Sequence, residues 1–387
     1  MVTIYKIHPA IGIARVGNSP DDFFIGPEKL GKELKPPGGF KDNQCRIKRQ
    51  AARFHIFAHH DDSTVTEITN AKAEITWKVH LVNKKAAHPY RNNTESAPDL
   101  TIDPGPRTLN GPNQRSLFDN GKIKFSGAPI TTVPLGEVRS DTDNHLLVLG
   151  GFGKSASPAG TALSGHFWKS EDWYDDVSDG PVTATIKLHS DGSIPPVVGS
   201  WVIVAPPNFA PHQENIITLY DRILQAMIDG AFLTAPTATS YTKDVYPILH
   251  RARDTGWVEK TFGSHSWVDP VTSDALRNAI FNRLKVPGGG GSNMPNLNDS
   301  GTSDDRLTPV QYAHMQRWKK TATLTIGAVF LHLNLSSLPK DWIGLHWKPV
   351  LVVLFIQELK QGDSQNIPGR LSSLQILWNH SGSIIAL

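Results

Sequence analysis

The chain has 387 residues, 19% of them charged, with 32 glycines, 28 prolines, one cysteine and a formal charge of +3. That length buries a core without staples, and a single thiol excludes an intrachain disulfide, a CxxC redox pair and a multi-cysteine zinc site. The glycine and proline content excludes a coiled coil, and so mild a charge gives no ground for a nucleic-acid partner.

Apolar residues from Val2 to Val16 are punctuated by His8-Pro9 and Gly12. Gly17-Asn18-Ser19-Pro20 and Pro36-Pro37-Gly38-Gly39 read as turns. Phe54-His55-Ile56-Phe57 and Glu74–Leu81 follow as strands. In the second, Ile75, Trp77, Val79 and Leu81 alternate with Thr76, Lys78 and His80, the mark of a half-buried strand. Leu146–Leu149 is a short apolar run ending in Gly150-Gly151. Val182, Ala184, Ile186 and Leu188 alternate again, and Trp201–Ala205 stops at Pro206-Pro207, where a missing N–H interrupts a ladder.

The period then changes. Ile216, Leu219/Tyr220, Ile223/Leu224 and Met227 recur at helical spacing, as do Leu276, Ile280 and Leu284 within Ser273–Lys285. Thr308-Pro309-Val310-Gln311 predicts a helix entry with Thr308 as N-cap and Gln311 closing a capping box, the helix running to about Lys320. Pro287–Asn293 reads as a flexible hinge. From Ala322 to Leu387 only Lys340, Asp341, Lys348, Glu358, Lys360, Asp363 and Arg370 are charged, neither period holds, and Lys348–Ile356 reads as a buried strand. The expected class is α+β: β-rich with long loops over 1–205, helical over 206–320, and an atypical tail over 321–387 foreign to the fold. No basic stretch followed by an apolar one opens the chain, so no secretory signal is expected and the expected location is cytoplasmic. The longest charge-free stretch, between Lys320 and Lys340, is too polar for a membrane span.

Several clusters carry possible chemistry. Gly150-Gly-Phe-Gly153-Lys154-Ser155 resembles the end of a phosphate loop, but Val148 occupies the position of the first glycine, so it reads as a turn after a strand. No G-x-S-x-G elbow exists. His55, His59 and His60 with Asp61 and Asp62 suggest a metal cluster, yet the stretch reads better as a solvated hairpin loop. Trp168, Trp173 and Tyr174 read as loop anchors with Glu171, Asp172, Asp175 and Asp176 at the surface; the alternative is a cation-binding wall suited to an amine. Tyr220 and Asp221 either border a site or are a core tyrosine and a capping acid. Lys84-Lys85 and Lys48-Arg49 read as solvated.

Longer strings go further: His8-Pro-Ala-Ile-Gly-Ile-Ala-Arg-Val-Gly-Asn-Ser19, Phe24-Ile-Gly-Pro-Glu28, Ile47–Phe54, Glu74–Ala87, Asp119-Asn-Gly121, Leu135-Gly-Glu-Val-Arg139, Leu146–Ser155, Trp173-Tyr-Asp-Asp176, Asp179–Ala184 and Trp201–Pro211. In this order, from about residue 4 to Lys320, they resemble the N-terminal region of the L-lysine ε-oxidase/glycine oxidase family. The resemblance implies amino-acid oxidases in which a cysteine tryptophylquinone condenses with a primary amine and oxygen reoxidises it, releasing ammonia and hydrogen peroxide. It also implies a flavoprotein that installs the quinone, an amino-acid substrate and a homo-oligomer.

The sequence departs from that family in length. Members are roughly twice as long, and their quinone-forming Cys and Trp lie in the C-terminal half. Here Cys45 sits in the loop Asp42–Arg49, and Trp342, Trp347 and Trp378 lie in the atypical tail with no cysteine beside them. The expectation is a truncated relative with no quinone of its own, whose tail after about Thr321 comes from read-through or a frame change. The alternative is a non-catalytic homologue that binds a small molecule or a subunit. Family sites include N-terminal side chains near the quinone, and on that ground Tyr220 and Asp221 are the expected substrate-binding residues.

Overall fold

The computed structural model describes residues 3–28, 35–88, 93–163, 170–210, 214–255, 274–287 and 307–320, with two short strands at 376–378 and 384–386. The chain divides into two compact units, the first running through Asn208 and the second starting at Phe209.

In the first unit, β1 (Ile4–His8) and β2 (Ile11–Arg15) flank a turn whose His8-Pro9 bond is cis. β3 (Phe23–Ile25) leads to the 11-residue β4 (Arg49–His59), which turns back into β5 (Val65–Ile68). β6 (Ala73–Val79), β7 (Arg107–Asn110), β8 (Arg115–Phe118), β9 (Lys122–Ile123), β10 (Thr131–Thr132), β11 (Gly136–Ser140) and β12 (Leu146–Leu149) follow. β13 (Ser155–Ala156), β14 (Tyr174–Asp175), β15 (Ser178–Leu188), β16 (Val197–Val198) and β17 (Ser200–Ala205) complete it.

One 13-stranded sheet runs β7-β6-β15-β17-β2-β4-β12-β11-β8, with β1, β3 and β5 attached to β4, and β16 to β1. Its path begins on β7 and ends on β8, neighbours in the chain, so the sheet curls nearly closed around its own apolar face. Most pairs are antiparallel; β17–β2, β16–β1 and β3–β4 are parallel. The core is the inner face: Phe54, Ile56, Ile75, Trp77, Val79, Leu81, Phe118, Leu146, Val148, Val182, Ile186 and Val202 are buried. The predicted alternation holds in β6, where Ile75, Trp77 and Val79 are buried while Glu74 and Lys78 are exposed. β12 is buried on every residue because β4 and β11 flank it and both its faces are covered. A methyl at Gly180 would stand 1.7 Å from the His80 carbonyl oxygen, so only glycine lets β15 approach the chain after β6.

In the second unit, α1 (Leu219–Asp229) starts at a capping box formed by Thr218 and Asp221. A π turn over Tyr241–Val245 runs directly into α2 (Tyr246–Asp254), a feature with no signal in the periodicity. α3 (Asp274–Phe281) stops short of the expected Lys285. α4 (Pro309–Lys320) has the predicted box: Thr308 N–H donates to Gln311 Oε1 at 3.0 Å and Gln311 N–H to Thr308 Oγ1 at 3.2 Å. Ile216, Val245, Ile248, Leu249, Ile280, Phe281, Met315 and Trp318 form a separate core. In the tail, β18 (Ile376–Trp378) pairs antiparallel with β19 (Ile384–Ala386). The strand expected at Lys348–Ile356, the hinge beyond Val286-Pro287, and Trp168, Trp342 and Trp347 lie outside the described residues.

The fold is α+β, with strands to Ala205, helices from Leu219 to Lys320, and one short strand pair in the tail. Among the described residues, no helix is long and apolar enough to cross a membrane.

Candidate functional site

β4 runs through the middle of the sheet, with β1, β2, β3, β5 and β12 along its edges. Strand alternation sends Phe54, Ile56 and Ala58 into the core and puts Arg53, His55, Phe57 and His59 on the outer face. Leu147 pairs with Arg53 and Leu146 with Phe54, so continuing that register sets His145 across from His55. On the other edge, Glu67 pairs with Phe57, diagonal to His55. Three residues far apart in sequence therefore converge on one outer face.

Their geometry is tight. His55 Nδ1 lies 2.5 Å from Glu67 Oε1, and His145 Nε2 lies 3.1 Å from the same oxygen. The two imidazole centroids are 4.3 Å apart. The second nitrogen of each ring also meets a carboxylate: His55 Nε2 is 2.9 Å from Glu28 Oε1, and His145 Nδ1 is 2.8 Å from Asp141 Oδ2. Arg53 grips Glu28 with two N–H groups, one at 2.9 Å. Its hydrogen bond pulls the Glu28 carboxyl down to about 2 against the cost of burial, with His55 adding to the effect. For Glu67, partial burial works upward, but His55 and His145 outweigh it and hold the carboxyl below its ordinary value.

The sequence grouped His55 with His59, His60, Asp61 and Asp62 as a solvated loop. The structure divides them. His55 and His59 lie within β4, and the turn begins only at His60. His59 faces His8, Nε2 to Nε2 at 3.0 Å, so one ring donates and the other accepts. Burial, then His59, push His8 down to about 4. His60 Nδ1 meets Thr3 Oγ1 at 3.1 Å. The residues that do join His55 are Glu28, Glu67 and His145, which sequence spacing missed because only strand register brings them together.

A second cluster surrounds Asp175 and Asp176. The expectation of surface carboxylates is overturned here: Asp175 and Asp176 are 9% and 3% exposed. The Gly150–Ser155 turn wraps Asp176, with backbone N–H groups of Lys154 and Phe152 donating to its carboxylate. A methyl on Gly151 would stand 2.4 Å from Asp176 Oδ2. Burial raises the Asp176 carboxyl to about 6, opposed by these hydrogen bonds and aided by the charge of Asp175. Asp175 accepts from Asn83 Nδ2 at 2.9 Å and from Lys85 Nζ.

Lys85 is therefore not a solvated lysine. Nor is Arg49 a solvated arginine: it is buried, donates to Glu137 Oε1 at 2.9 Å and lies over the Phe152 ring. Arg115 and Arg139 share the same carboxylate.

In the second unit, Asp221 closes the α1 capping box. Its Oδ2 accepts from Thr218 N–H and Oγ1, both at 2.8 Å, and from Arg251 Nη1 at 3.3 Å. Tyr220 is 37% exposed rather than core, and burial of its hydroxyl, then Asp221 and Asp244, raise the phenol.

A cysteine tryptophylquinone needs a thiol in bonding reach of an indole. Cys45, the chain's one cysteine, is exposed on a left-handed turn at φ 62°. Trp77, Trp201 and Trp318 are buried. The Trp77, Trp173 and Trp201 N–H groups donate to Asn144 O, Thr161 O and Asp179 Oδ2. An exposed thiol and buried, anchored indoles do not fit that cofactor among the described residues.

Residues 8–204 match the family described as L-lysine epsilon oxidase N-terminal. L-lysine 6-oxidase of Marinomonas mediterranea is 30% identical over 320 residues, 65% of this chain and 43% of that protein. The structure of the epsilon-lysine oxidase from the same organism superposes with a TM-score of 0.67 at 24% identity, over 86% of this chain and 63% of that one. A crystal structure of the L-Lys epsilon-oxidase gives 0.66 at 25% identity, again over 86% and 63%. A Schiff base intermediate of that oxidase with L-Lys gives 0.64 at 24% identity, over 85% and 62%. The chain thus spans less than half the length of the curated relative it matches.

Proposed function

The chain belongs to the L-lysine epsilon oxidase N-terminal family, and on that premise we propose that it is the β-sheet scaffold region of a quinoprotein amino-acid oxidase. The whole oxidase would deaminate an amine of lysine, glycine or a related amino acid oxidatively, releasing ammonia and hydrogen peroxide. The observation that carries this reading is the family match across β2 to β17, the strands of the curled sheet. The Schiff base that a solved relative forms with L-Lys supports it, since such an adduct joins an amine to a carbonyl, the group a quinone offers.

The catalytic group itself is assigned elsewhere than in these residues. Cys45 is the sole thiol and is exposed, so this chain by itself is read as carrying no quinone. That reading includes a flavoprotein that installs the quinone in the whole oxidase, a homo-oligomeric assembly, and a tail after about Thr321 foreign to the fold. Intact-mass analysis and a visible spectrum test it. The purified chain is expected at its plain sequence mass, without a visible band and without peroxide on addition of lysine or glycine. A mass showing gained oxygen and lost hydrogen, with a visible band, would overturn it.

Within the family region we assign substrate binding to Tyr220 and Asp221. The exposed phenol beside a carboxylate that also holds Arg251 supports this. In a full-length relative, replacing the residue aligned with Tyr220 by Phe is expected to raise KM for the amino acid several-fold with kcat little changed. Unchanged kinetics would refute the assignment.

The second reading is a non-catalytic homologue that binds a small molecule or a subunit. The misfit between Cys45 and the described tryptophans favours it for this chain alone. It separates from the first in a transcript that rejoins the family's continuation after Trp318: the protein made from it releases peroxide only if the first holds.

A further inference from the structure

We propose that His55, Glu67 and His145 form a binding site for a divalent transition-metal ion of the zinc class. Each offers one ligand atom, and the three atoms lie within 4.8 Å of one another. Two imidazoles and one carboxylate are the donor set of borderline-soft divalent ions, and unlike the all-oxygen sets of calcium and magnesium. Around a tetrahedral ion with bonds of ~2.0–2.1 Å, donors stand ~3.4 Å apart. The present contacts of 2.5 Å from His55 and 3.1 Å from His145 to Glu67 Oε1 are hydrogen-bond lengths. Admitting the ion moves the donors outward by about 1 Å or less, a shift available to side chains on three separate segments of the outer face.

The supporting shell points the same way. A metal-bound histidine almost always donates its other ring N–H to a carboxylate or carbonyl, which fixes the ring and its tautomer. Both histidines do so here. His55 Nε2 meets Glu28 Oε1 at 2.9 Å, and Arg53 clamps Glu28. His145 Nδ1 meets Asp141 Oδ2 at 2.8 Å, and the backbone N–H groups of Asp143 and His145 hold Asp141 Oδ1 at 3.0 and 2.8 Å. Thus the nitrogen left facing Glu67 is Nδ1 in one ring and Nε2 in the other, and each is aimed by its partner carboxylate.

The site is built on strands: His55 in β4, Glu67 in β5, and His145 one residue before β12. The side chains of His55, Glu67 and His145 are 17%, 36% and 13% exposed, so the ion enters from solvent and keeps a position for water.

The test uses the whole chain, stripped with a chelator and titrated with Zn²⁺ or Co²⁺. The expected result is one Zn²⁺ per chain in calorimetry, a visible Co²⁺ spectrum of low coordination number, and a Tm that rises with Zn²⁺ by mass action. Glu67→Gln and His145→Gln are expected to weaken binding at least 100-fold and abolish the Co²⁺ bands. Glu28→Gln, which removes only the support of His55, is expected to weaken binding about 10–100-fold. It reports on the site even if the ligand variants unfold. His59→Gln, in the neighbouring His8 pair, should bind normally. No binding at 100 µM Zn²⁺ overturns the proposal, as does undiminished binding in folded Glu67→Gln and His145→Gln, or loss in His59→Gln alone.

Discussion

Asp176 shows how one side chain sets a pH dependence. Its carboxyl is raised from 3.8 to about 6, chiefly because it is buried. Between those values the folded chain holds a proton that the unfolded chain has released. Its contribution to stability is therefore complete below the unfolded value and is lost as pH rises through about 6, by about 3 kcal/mol in all. Asp176→Asn removes the titration while leaving an acceptor for the Lys154 and Phe152 N–H groups. Denaturant unfolding of both proteins at pH 4 and pH 7.5 checks it: the variant should gain on the parent by about 2 kcal/mol across that interval, where the unfolded carboxyl is already partly ionised at the lower pH. A difference constant with pH would contradict the burial argument. The signal in the sequence was the pair Asp175-Asp176 itself, but its placement at the surface was wrong, because only the tertiary fold closes the glycine turn over it.

The strands show which elements local pattern determines. Alternation in β6 and β15 was legible because each has one buried face. The α4 capping box was legible because it is written in four consecutive residues. The helix-preceding π turn at Tyr241–Val245 was not, since a single turn of i→i+5 bonding carries no periodic or capping signature of its own. His145 and Glu67 were not legible as partners of His55, because sequence separations of 90 and 12 become proximity only through the pairing of β4 with β12 and β5. Register also makes a sharp demand on Gly180. A side chain there meets the His80 carbonyl at 1.7 Å, backbone against backbone, with no flexible group to yield. Gly180→Ala is expected to cost about 3 kcal/mol, read as a lower denaturant midpoint. A loss below about 0.5 kcal/mol, the scale of an ordinary surface substitution, would show that the strands separate easily.

At the scale of the molecule, the two units hold separate cores, one of strands and one of helices. The passage from strands to helices near residue 206 was legible, because the change of period is carried by the apolar residues themselves. What composition did not carry was closure of the sheet. β2 lies parallel to β17, Ile11 opposite Trp201 and Arg15 opposite Ala205, and β1 lies parallel to β16. Parallel neighbours require a crossover, and here it spans nearly the whole first unit. During synthesis, at about 5–20 residues per second, the opening strands wait on the order of ten seconds or more for their partners to leave the ribosome. Until then β1 and β2 lack the partners that later cover those edges, and the sheet cannot complete. Translation pauses before residue 205 would lengthen that interval of exposed strand edges.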